Sequence, residues 1–150
     1  MISRSLSRDL LALLCAVQAI ATAAIDLGRA HARNPAWTGH ARFHLVWQLS
    51  STIALAACEI PLILMPGPYL SRRFYLAAML AAVPMAGFVV AFLTRTLYGG
   101  AMSDPNGIAP ARISIRGRQH AIDLNLVAEA CAIVALAVLV ASYRHAAGSQ

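Results

Sequence analysis

Four apolar stretches, over residues 10–27, 43–65, 74–97 and 122–143, leave this 150-residue chain few folds to choose from. Each is about 20 residues long, enough to cross the hydrocarbon core of a bilayer as an α-helix. A spanning segment must satisfy its own backbone, which leaves helices or closed barrels. The Ala/Leu/Val runs lack the period-two alternation of barrel strands, so they read as helices. A composition of 59% hydrophobic and 12% charged residues agrees, because a soluble domain of this size needs more polar surface. The expected fold is an all-α integral membrane protein: one domain over residues 1–150, a four-transmembrane-helix bundle with both termini on the same side.

The first span has a basic start and a small-residue stretch at Ala21-Thr22-Ala23-Ala24, as a secretory signal does. Its apolar run continues past that stretch and three further spans follow, so it is read as a retained helix. Pro61 and Pro84 fall inside the second and third spans, where they bend a membrane helix. Net charge is +6, from twelve basic residues that are all arginine, against six acids. These arginines sit at span ends, where interfacial anchors belong, and no nucleic acid partner is expected. Arginine without lysine, beside abundant alanine, points to a GC-rich bacterial genome and an inner-membrane location. Arg72 and Arg73 in the tight turn at 66–73, with the basic N-terminus, favour cytoplasmic termini. Cys15, Cys58 and Cys131 all lie within spans and have no zinc or disulfide spacing; they are expected as small buried fillers.

Polar residues gather toward one end. On the first helix Gln18, Thr22 and Asp26 repeat every four residues and share a face. On the second, His40, His44 and Gln48 do the same, with Ser51 and Thr52 following. The third ends in Thr94, Arg95 and Thr96. The fourth is expected to begin with His120, Asp123 and Asn125, with Glu129 roughly 13 Å deeper at 1.5 Å per residue. Ionisable groups at membrane depth cost about 2.5–3.5 kcal/mol on insertion scales and normally face the bundle interior or a wet cavity. The other half of the bundle is nearly bare except for Glu59, for which a structural role is expected. Two long connections join the helices at the polar end, over 28–42 and 98–120. In the second, 111–117 alternates weakly and can form a short extended or hairpin piece.

The candidate catalytic residues are therefore His44, His40, Asp26, Asp123 and Glu129. Candidate ligand contacts are Gln18, Thr22, Trp37, Arg42, Trp47, Gln48, Arg95, His120 and Asn125. Imidazoles titrate near working pH and serve as acid or base beside carboxylates. Trp37 and Trp47 flank the histidines, as an interfacial belt or as a stacking wall for a flat ligand. Asn34-Pro35 reads as a turn, and Thr38 as the N-cap of a helix that starts before His40. No cofactor is expected. The alternative is a mononuclear metal at His40 and His44, completed from His31, His120, Asp26 or Asp123, in a membrane oxidoreductase.

The string Asn34-Pro35-Ala36-Trp37-Thr38-Gly39-His40-Ala41-Arg42-Phe43-His44 resembles the signature of a family of small four-helix membrane proteins classed as a domain of unknown function. That resemblance covers about a third of the chain and implies the four-helix fold without an activity. A looser similarity is to the EXPERA group of sterol isomerase and sigma-2-like proteins, through Asp26 at the end of the first helix and Glu59 on the second. It implies a sterol-sized cavity. The resulting expectation is a small membrane enzyme or binder for an isoprenoid- or sterol-like molecule, using proton-transfer chemistry of the isomerase or hydratase type at a polar mouth. Its partners are the bilayer and that lipophile. The small residues of the second and third helices also allow a homo-oligomer. A non-catalytic subunit or assembly factor of a membrane complex is the remaining reading.

Overall fold

The computed structural model describes residues 2–148. Helix α1 covers Arg4–Asp26, α2 Gly39–Leu64 and α3 Leu70–Thr94, which runs on into a 3-10 turn at Arg95–Tyr98. Strands β1 (Ala111–Ile115) and β2 (Arg118–Ile122) precede α4 (Leu124–Gly148). All four helices are long and apolar enough to cross a membrane. Helix α1 packs on α2 and α4, and α3 packs on the same two, so the four close into a bundle.

The helices start where their caps are rather than where hydropathy rises. The Ser3 hydroxyl accepts from the Leu6 amide at 3.2 Å, so the polar turn before Leu10 is already helical. Thr38 does the same for α2 as expected, accepting from Ala41 N–H at 3.2 Å. The start expected for the fourth helix is corrected. Residues 111–122 form an antiparallel hairpin in which His120 lies opposite Ile113, so His120 belongs to a strand. Its two-residue turn uses Arg116 at φ 50° and Gly117 at φ 76°, the left-handed pair that matches strand twist. Asp123 then stands outside α4 as its cap, its Oδ1 accepting from the amides of Asn125 (2.9 Å) and Leu126 (3.1 Å).

The tight core is confined to one end. It joins Leu11, Ala12 and Cys15 of α1 to Ile63 of α2, Phe74, Ala77, Ala78, Ala81 and Met85 of α3, and Leu136, Leu139 and Tyr143 of α4. Phe74 and Tyr143 stack at 3.8 Å between centroids, and the Arg4 guanidinium lies 5.3 Å over the Tyr143 ring. Small residues at Ala77, Ala78 and Ala81 allow the close approach of α3 that this cluster needs. Glu59 is buried here against the Cys15 thiol. Cys15 is thus the buried filler expected, whereas Cys58 and Cys131 face outward because their helix faces lie away from the bundle axis.

The arginines at this end bond carbonyls of the last turn of α2, where the backbone runs out of intrahelical donors beyond the Met65 N–H on Pro61 O. Arg73 donates from Nε to Leu62 O and from Nη2 to Pro61 O, both at 2.9 Å. Arg8 reaches Ile63 O from α1. Hydrogen bonds from a charged donor contribute about 1.5–3 kcal/mol, so Arg73→Ala is expected to destabilise the protein by that amount. Thermal unfolding of detergent-solubilised protein measures it, and an unchanged midpoint would refute the clamp.

Candidate binding site

At the opposite end the bundle opens. Three cavities lie between α1, α3, α4 and the two long connections, and the Asn125 side chain borders all three. The first, about 340 Å³, lies between α1 and α4 and is lined by Gln18, Thr22, Asp26, Asn125 and Glu129, with Phe88 of α3 and apolar residues around them. The second, about 230 Å³, runs under Phe92, Arg95 and Tyr98. A third of about 120 Å³ lies beneath the connections, bordered by His31, Asp104, Asp123 and Ile108. Ile25 separates the first from the third, and Phe88 the first from the second.

Within this region two polar atoms are buried without a hydrogen-bond partner, Glu129 Oε2 and His31 Nδ1. A buried polar group left unpaired costs about 1–3 kcal/mol, so such groups call for an explanation. Both border cavities, which gives one: they face space that a polar ligand group can fill. The Ala32 N–H donates to Asp26 O at 2.9 Å, which turns the first connection back over the end of α1 beside His31. Thr22 uses its hydroxyl proton on Gln18 O at 2.6 Å, which leaves its oxygen as an acceptor toward the cavity.

Asn34 and Trp37 roof the site. Asn34, 4% exposed, donates from Nδ2 to Ala30 O (3.2 Å) and to Asn106 O (2.8 Å) across the two connections. Its Oδ1 accepts from Ala36 N–H at 3.0 Å, the turn that Asn-Pro chemistry predicts. Trp37 Nε1 donates to Asp104 Oδ2 at 3.1 Å and meets His31 edge-on at 5.4 Å. Asp104 Oδ1 in turn accepts from Asn106 N–H at 2.7 Å. The conspicuous Asn-Pro-Ala-Trp string is thus a clasp that shuts one connection on the other. Asp104 and Met102 are site residues that the sequence reading missed. An indole N–H that is partly buried needs an acceptor, and that need was the available signal for Asp104.

The expected site residues divide by helix. Gln18, Thr22, Asp26, Asn125 and Glu129 come together, with Asp123 and Arg95 at the neighbouring cavities. Arg95 folds back on its own helix end, donating to Phe92 O at 2.5 Å with its guanidinium 4.3 Å over the Phe92 ring. His40, His44, Trp47 and Gln48 are exposed on the outer face of α2 and border none of the three cavities. His40 and His44 meet each other, Nε2 to Nε2 at 3.1 Å, beside Phe43 and Trp47. Arg42 is also on α2, two residues from each and so about 200° around the helix from them, and His120 is exposed on the hairpin. The four-residue period puts the histidines on one face; which face turned inward was set by Leu49, Thr52, Ala56, Glu59 and Ile63, the residues of α2 that are buried. Among the described residues no three His, Cys, Asp or Glu side chains converge on a point that could hold a metal ion. The chain matches no protein-family model, no curated protein and no solved structure.

Proposed function

We propose that the protein spans a bacterial inner membrane with cytoplasmic termini and binds a lipophilic molecule between α1 and α4. The polar end of that molecule is held by Gln18, Asp26, Asn125 and Glu129, while its apolar body lies against Leu14, Val17 and Phe88. One observation carries this reading: the unpartnered Glu129 Oε2 borders a cavity whose other polar lining comes from two different helices. Polar groups at membrane depth normally face protein or water, and here they face a space with room for a ligand. Where chemistry follows binding, the groups placed for proton transfer are Asp26 and Glu129, which both line this cavity, since the His40–His44 pair is outside it.

The test is mass spectrometry of the organic extract of purified protein. Wild type is expected to carry a lipophile that bulk bilayer lipid does not account for, at near one per chain. Asp26→Asn with Glu129→Gln is expected to lose at least nine-tenths of it, roughly the tenfold that one unmade polar contact of about 1.4 kcal/mol produces. His40→Ala with His44→Ala is expected to retain it. Equal loading of all three proteins, or loss only in the histidine variant, would overturn the proposal.

A further inference from the structure

We propose that a second site, the groove between α3 and α4 near the Arg4–Tyr143 end, holds an anionic phospholipid. This rests on the membrane-spanning reading but not on the lipophile cavity. The groove measures about 1190 Å³, the largest of the cavities described here, and its walls are Met85, Val89, Ile133, Leu136 and Val140. Its polar lining is Arg144 and His145, both at one end and both exposed. A smaller hollow lined by Ile2, Ala141, Ser142 and His145 adjoins the same end.

Three features select the occupant. From Ile133 to Arg144 the α4 wall rises ~16 Å at 1.5 Å per residue. That is about half of a ~30 Å hydrocarbon core, the depth of one leaflet's acyl chains. Charge comes next: no carboxylate lines the groove, and Arg144 and His145 crown its apolar wall at headgroup level. Basic pockets between membrane helices bind anionic headgroups in this way. Arg4 adds a further cation at this end of the bundle, its guanidinium over Tyr143 and its Nε without a partner. Finally, a second copy docking by the same groove about a two-fold axis brings Arg144 toward its own counterpart, like charge against like. A zwitterionic lipid leaves the same charges poorly matched.

Native mass spectrometry of the detergent-purified full chain, titrated with phosphatidylglycerol or phosphatidylcholine of identical acyl chains, tests this. Phosphatidylglycerol is expected to bind about tenfold more tightly, the effect of one to two basic residues at a membrane surface. Arg144→Gln with His145→Gln is expected to abolish that preference. Ala137→Phe, which fills the groove from an exposed position, is expected to weaken both lipids. Glu129→Gln is expected to leave the preference intact, which separates this site from the lipophile cavity. Equal affinity for the two lipids overturns the proposal. So does a preference that survives the Arg144/His145 double variant, or a dimer that replaces the lipid adducts and is broken by Ala137→Phe.

Discussion

Glu129→Leu is expected to raise the thermal stability of the protein while emptying it of lipophile. A carboxyl oxygen without a hydrogen-bond partner, on a helix long and apolar enough to span a bilayer, is a burden on the fold. Leaving such a group unsatisfied costs about 1–3 kcal/mol. Leucine removes that cost and adds apolar contact with the side chains that line the cavity beside Phe88. A gain of about 1–3 kcal/mol in unfolding free energy, read as a higher midpoint in detergent, is the expected result. Loss of the extracted lipophile in the same preparation completes the signature. A residue kept for function opposes stability in this way. A lowered midpoint with ligand retained would show that Glu129 instead serves the fold, through contacts made elsewhere.

Asn34→Leu is expected to produce the largest loss of stability among the connection residues, about 3 kcal/mol. Asn34 makes three hydrogen bonds, to Ala30 O, Asn106 O and Ala36 N–H, from a side chain that is 4% exposed. At about 1 kcal/mol each they sum to the stated loss, and leucine also strands the two carbonyls it no longer meets. The effect is local first. Hydrogen exchange is expected to quicken in residues 102–110, because Asn106 loses its tie to the first connection, while the Phe74–Tyr143 end stays protected. Trp37→Phe removes one bond, to Asp104, and is expected to cost about 1 kcal/mol by the same measure. Unchanged exchange in 102–110 would refute the clasp.

How much of this was legible differs by element. The four helices were legible, because a run of about 20 apolar residues has few physical alternatives. Their starts were off by several residues, since capping by Ser3 and Asp123 acts through hydrogen bonds to which hydropathy is blind. The Gln18, Thr22, Asp26 stripe and its meeting with Asn125 and Glu129 followed from period and depth alone. The position of His40 and His44 did not. Their face of α2 and the face carrying Leu49, Ala56 and Ile63 both hold apolar residues, and periodicity alone does not say which turns inward.

The sequence by itself determined the number of helices, the polar end and the residues able to meet there, because hydrophobic length and helical period are local properties. Only the tertiary structure decided that packing is tight around Phe74 and Tyr143 and open around Asn125, and that the histidine string roofs and flanks the site rather than lining it. That outcome depends on which faces of four apolar helices interlock. Interlocking is set by the shapes of alanine, leucine and aromatic side chains from distant parts of the chain, and no local pattern records it.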